Sequence, residues 1–159
     1  LVLSNFTMDH PSEFVVRSVC QDSNYVTLGH LDSSGDMKIL VGVGYANLKL
    51  VINDPVVEQL MDSVQSAFET KGSFRPLSES PFEARGTKLI ARQQMFKIHT
   101  RDGAYRVGDY INQVILVPGP NDHGLTLLVM YRVDSNIENT KVELEELMTR
   151  VVNSIELPE

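Results

Sequence analysis

Apolar and polar residues alternate along most of this chain, and the period changes in two places. The pattern is plainest from residue 86 onward. Leu89, Ala91, Gln93, Met95 and Lys97 alternate with Ile90, Arg92, Gln94, Phe96 and Ile98, the two-residue period of a strand with two distinct faces. Arg101-Asp102-Gly103 supplies a hairpin turn with a glycine available for positive φ. Residues 104–117 return as a second strand, with Gly108 at a candidate bulge. After a turn over 118–124, residues 125–133 are nearly all apolar, as in a central strand covered on both faces. The period then becomes helical. Thr140-Lys141-Val142-Glu143 has the form of a capping box, and Leu144, Leu147, Val151 and Ile155 share one stripe that closes at Leu157-Pro158.

The first half reads less evenly. Phe6-Thr7-Met8 alternates and stops at His10-Pro11, because proline cannot donate to a strand ladder. Residues 14–19 predict a short strand. Tyr25–Leu31 and residues 37–45 flank the turn cluster Asp32-Ser33-Ser34-Gly35-Asp36 and predict a hairpin, with the β-rich run continuing to Ile52. Asn53-Asp54-Pro55 then opens a helix. Its apolar stripe is Val57, Leu60, Met61, Val64, Ala67 and Phe68, and Lys71-Gly72 ends it. Residues 73–86, with Pro76, Pro81 and several serines, read as the longest loop. Strands, helix, strands, helix, with consecutive hairpins and no repeat or linker, predict one α+β domain over 1–159. The expected architecture is an antiparallel β-sheet flanked by two main helices, an α-β-α sandwich.

Composition narrows the function classes. The 159 residues suit one domain, and a net charge of -7 lacks the basic footprint that phosphate contacts need. Nucleic acid is therefore not expected as a partner, nor is electrostatic docking on an anionic membrane. No apolar run reaches the length of a membrane span. Cys20 is the single cysteine, so no intrachain disulfide or cysteine-rich metal site can form, and a small buried hydrophobe is the expected role. That usage suits a reducing compartment or an exported protein that avoids unpaired thiols. The chain opens at Leu1 without methionine, which is expected of a removed signal peptide or a trimmed end, and the balance tips towards export. Asn5-Phe6-Thr7 has the form of a glycosylation acceptor, a three-residue match that is common by chance.

The chemistry-bearing residues form no motif. His10, His30, His99 and His123 show no helical pairing and no cysteine partner, so no metal is expected. Gly42-Val43-Gly44 lacks the third glycine of a dinucleotide loop and reads as close packing within a strand. No G-x-S-x-G elbow is present. No catalytic centre and no cofactor are expected. Asp134, Asn136 and Glu138 lack the glycine and final glutamate of a calcium loop and read as a polar helix cap. Glu143, Glu145 and Glu146 complement the dipole of the last helix, and could also form an acidic patch for a basic protein. Loop 118–124 is a lesser recognition tip. Loop 73–86 carries Phe74, Arg75, Phe82 and Arg85, residue types enriched in protein interfaces, and these four are the candidate partner-binding residues. In the competing reading, both phenylalanines pin the loop to the core.

Three stretches carry a resemblance: Phe6-Thr7-Met8-Asp9-His10-Pro11-Ser12-Glu13-Phe14, then Gly86-Thr87-Lys88-Leu89-Ile90-Ala91, then residues 125–132 with a helix closing in Val152-Asn153-Ser154-Ile155. In this order, with the first helix between them, they resemble the PsbP-like superfamily. That group includes photosystem II extrinsic subunits, DcrB-type bacterial lipoproteins and a Ran-binding nuclear-transport protein. The resemblance implies an α-β-α sandwich and no common chemistry, since members are mostly non-enzymatic accessory or binding proteins. The expectation is a non-catalytic module that binds another protein. The alternatives are a small hydrolase or isomerase with a site assembled in space, and a chaperone-like binder of apolar segments.

Overall fold

The computed structural model describes residues 6–20, 25–47, 55–67, 72–76, 82–84, 86–119 and 123–157. The elements are β1 (Val15–Cys20), β2 (Tyr25–Leu31), β3 (Met37–Asn47), α1 (Pro55–Ala67), β4 (Gly72–Pro76), β5 (Phe82–Ala84), β6 (Thr87–Ile98), β7 (Gly108–Pro118), β8 (His123–Arg132) and α2 (Ile137–Ser154). The strands form one antiparallel sheet in the order β1-β2-β3-β8-β7-β6-β4, with β5 also paired to β6. β2–β3 and β6–β7–β8 are the hairpins that the alternation predicts. The β3–β8 ladder, from Ile39↔Tyr131 to Asn47↔His123, joins the two sets and puts the apolar β8 in the interior of the sheet.

Alternation along each strand separates two faces. On one, α2 lays Leu144, Leu147, Met148, Val151 and Val152 into a core with Ile111, Ile115, Leu127, Val129 and Tyr131. On the other, Met61 and Val64 of α1 pack near Val114, Leu116, Phe96 and Tyr110. The far part of the α2 face is closed without a helix. Phe6, Met8 and Phe14 join Val26 and Leu28 there. Thr7 and Glu156 exchange backbone hydrogen bonds of 2.9 Å and tie this N-terminal segment to the end of α2. No described helix is long and apolar enough to cross a membrane.

The expected α-β-α sandwich is not what forms: the fold is dominated by its sheet. Residues 73–86, read as a loop, contain β5 and all of β4 but Gly72, and these strands pair with opposite ends of β6. Edge strand β1 is exposed at all 6 residues. A helix of 13 residues and one of 18 are too few to layer a sheet of eight strands. The short β4 and β5 escape notice in the sequence because a few residues beside prolines hold too little alternation to read.

Two boundaries also move. β7 starts at Gly108, not 104, because Asp102 and Tyr105 exchange backbone hydrogen bonds and the Ala104 carbonyl accepts from Met37 N–H at 2.8 Å. Gly103 takes φ 57 in that turn, as its glycine predicts. α2 starts a turn before the Thr140 box, because Asn136 Oδ1 accepts from Asn139 N–H at 2.8 Å and caps it first. The predicted start of α1 at Asn53-Asp54, its residues Phe68 and Lys71, and strand residues 48–52 lie outside the described residues.

The Gly42-Val43-Gly44 run is a packing feature. The Tyr25 ring lies across Gly42 and Gly44, where a Cβ at either position would meet it. Gly42→Ala should therefore cost about 1–2 kcal/mol by displacing that ring. Urea denaturation of Gly42→Ala, Tyr25→Ala and the double variant checks this, with strong coupling expected between the two sites.

At one end of the sheet Arg132 is a buried cation, only 4% exposed. Its Nη2 donates to Asp134 Oδ2 at 3.1 Å and lies 2.9 Å from Asp32 Oδ2, while Nη1 donates to the Met37 carbonyl at 3.3 Å. Asp32 also caps the β2–β3 turn, accepting from Ser34 and Asp36 N–H. The Asp36 N–H first, then Arg132, holds the Asp32 carboxyl below its ordinary 3.8, and the Arg132 guanidinium does the same for Asp134. Depressed folded values mean that the unfolded chain takes up protons first, so this stability is full above 3.8 and is lost as pH falls through the folded values. Thermal melts should show the midpoint dropping below about pH 4, with a shallower drop in Asp134→Asn. An unchanged acid slope in that variant would count against the clasp.

Candidate functional site

Among the described residues, a cavity opens on each face of the sheet. The first, about 300 Å³, lies between the middle of α2 and the end of the sheet nearest the N-terminal segment. Its floor comes from pairing register, because Ile39 and Tyr131 are direct cross-strand partners on β3 and β8. Phe14 and Leu147 complete the apolar surface. Helical spacing places Glu143, Glu146, Leu147 and Arg150 along one flank of α2, and Glu13 stands on the opposite rim. Phe14 is steadied by the His30 ring at 5.8 Å, and His30 Nδ1 lies 3.1 Å from the Glu13 carbonyl.

The electrostatics are lopsided. Among the described lining residues Glu13, Glu143 and Glu146 face a single cation, Arg150, whose Nη2 is 3.9 Å from Glu13 Oε1 at the exposed mouth. The Tyr131 hydroxyl donates to Glu143 Oε2 at 2.7 Å. Burial, then that carboxylate acceptor, pushes the phenol well above its ordinary range. Tyr131 therefore stays protonated and fixes the position of the Glu143 carboxylate. An apolar floor with an anionic rim suits a cation on an alkyl stem: methylenes lie on Phe14, Ile39 and Leu147, and the charged head meets the carboxylates.

The second cavity, about 430 Å³, lies between the last turns of α1 and strand β4. Among the described residues it is lined by Asp62, Gln65, Ser66, Gly72 and Phe74. Phe74 is half-buried and stacks on Phe96 at 5.5 Å, which stacks on Tyr110 at 5.1 Å.

The four sequence candidates do not come together. Phe74 faces the α1 side from β4, whereas Phe82, 4% exposed on β5, is in the α2-side core. Arg75 contributes its backbone to β4, and its side chain lies outside the described residues, as does all of Arg85. Of loop 118–124, residues 120–122 lie outside them too. Cys20, expected to be buried, is exposed at the end of β1. His99 Nε2 lies 2.9 Å from Ser73 Oγ and the His123 ring stacks on Tyr45 at 5.5 Å. Among the described residues no three metal-ligating side chains converge. The acidic run on the last helix does carry a signal for the first cavity. Its partners Glu13 and Phe14 do not, because only the closure of the N-terminal segment over the sheet brings them to α2.

No family model matches this chain, and no curated protein matches it. Within the first cavity, Tyr131→Phe removes the hydroxyl bond to Glu143 and keeps the ring. Urea unfolding should show a loss of about 1–2 kcal/mol. A much larger loss would place the role of Tyr131 in packing instead.

Proposed function

We propose that this domain is a non-catalytic binding module that docks another protein through a basic segment, seating a Lys or Arg side chain in the α2 cleft. The observation that carries this reading is the rim of Glu13, Glu143 and Glu146 around an apolar floor, opposed among the described lining residues by Arg150 alone. The net charge of -7 adds long-range attraction for a basic partner. Cleft residues come from the N-terminal segment, the sheet and α2, so the partner's side chain would meet a surface held by packed elements. The resemblance to the PsbP-like superfamily, whose members are mostly accessory or binding proteins, points to the same class of function and adds no chemistry.

Fluorescence anisotropy with short Lys/Leu and Glu/Leu peptides tests the proposal. The Lys/Leu peptide should bind, and raising salt from about 20 to 200 mM should weaken it several-fold as the screening length falls. Glu143→Gln with Glu146→Gln should cut affinity about tenfold, the loss of two charge-assisted contacts near the surface. Absence of binding, equal binding of both peptides, or an unaffected double variant would overturn it.

A further inference from the structure

The α1 face holds a polar pair that the packing does not satisfy. Gln94 and Asn112 are direct cross-strand partners on β6 and β7, 6% and 0% exposed. Each carboxamide has one of its two polar atoms engaged. Gln65 Nε2 donates to Gln94 Oε1 at 3.0 Å, and Asn112 Nδ2 donates to the Met61 sulfur, a weak acceptor, at 3.2 Å. The remaining groups, the donor Gln94 Nε2 and the acceptor Asn112 Oδ1, have no hydrogen-bond partner. Native proteins leave few buried polar atoms in this state, and each calls for an explanation.

Gln94 lies one hydrogen bond behind the wall of the second cavity, because Gln65, which holds it, is part of that wall, and Asn112 is its cross-strand neighbour on β7. The cavity volume, about 430 Å³, is in the range of small-molecule sites. Phe74, backed by Phe96, offers a flat apolar surface on one side, and Asp62 and Ser66 supply polarity on the other.

We propose that this cavity binds a planar carboxamide. With Gln65 turned aside, the ligand lies against Phe74, its carbonyl accepts from Gln94 Nε2 and its N–H donates to Asn112 Oδ1. The pairing selects for an amide over its nearest relatives. A carboxylate presents acceptors only, leaves Asn112 Oδ1 unpaired and brings a negative charge near Asp62. An ammonium presents donors only and leaves Gln94 Nε2 unpaired. An amide supplies one of each in a single plane. The same group could come as a free small amide or as a glutamine side chain of a peptide, and the two sources are separable. This site is independent of the α2 cleft, which lies across the sheet.

The test is NMR titration of the full chain with benzamide, benzoate and benzylamine, which differ only at the group in question. Benzamide should give saturable shifts of the Gln94 side-chain NH₂, and the other two should bind more weakly by about tenfold or more, each losing a buried hydrogen bond. Asn112→Leu should abolish benzamide binding without lowering the melting temperature, since it removes an unpaired buried group. Should that variant fail to fold, Gln65→Ala, at the wall, should bind benzamide as well as or better than the parent. A Gln-bearing peptide set against its Glu counterpart identifies the source: tighter binding than benzamide assigns a peptide-borne glutamine, weaker binding a free amide. No saturation, equal affinity for the three compounds, or shifts mapping away from Gln94 and Asn112 would overturn the proposal.

Discussion

The ladder between β3 and β8 brings together parts of the chain 76 to 92 residues apart. Pairing Ile39 with Tyr131 at one end and Asn47 with His123 at the other merges two hairpin sets into one sheet. Closing so long a loop has an entropy cost that only the burial behind it can offset. Val41, Val43, Leu127 and Val129 supply that burial as they disappear under α2 and the N-terminal segment. The same register makes the floor of the α2 cleft, so its geometry follows directly from the pairing.

Polarity is managed differently on β8 and on the neighbouring pair β6–β7. At the last residue of β8, Arg132 is buried but answered by two carboxylates and a backbone carbonyl. A buried cation is tolerable when its donors are used in this way. It also ties the β2–β3 turn to β8, which holds the two halves in one register. Under α1 the solution is incomplete. Gln94 and Asn112 sit among Met61, Phe96 and Val114 with a donor and an acceptor unused. Two leucines there would pack more simply, so a carboxamide pair at that spot is a feature for which stability alone gives no reason.

The two cavities thus differ in chemistry as well as in place. One is anionic at its rim, built from an N-terminal segment, two strands and a helix. The other carries a single carboxylate, Asp62, among its described lining residues and is backed by an aromatic stack. Both depend on side chains brought together across the sheet, and neither is announced by a motif.

Alternation and helical period by themselves determined the hairpins, the interior position of β8, the apolar stripe of α2 and the antiparallel sense of the sheet. These are local properties: each strand's two faces and each helix's stripe are written in neighbouring residues. The partner-binding candidates in residues 73–86 were chosen by residue type, and type does not say which face a side chain takes. Pairing with β6 sent Phe74 to one side and Phe82 to the other. It also turned an expected loop into strands and an expected sandwich into a sheet-dominated fold. Only the tertiary structure decided that Glu13 and Phe14 meet Glu143 and Glu146, and that Gln94 and Asn112 lie side by side beneath α1. Contacts of that kind depend on long-range register, which no local window of sequence contains.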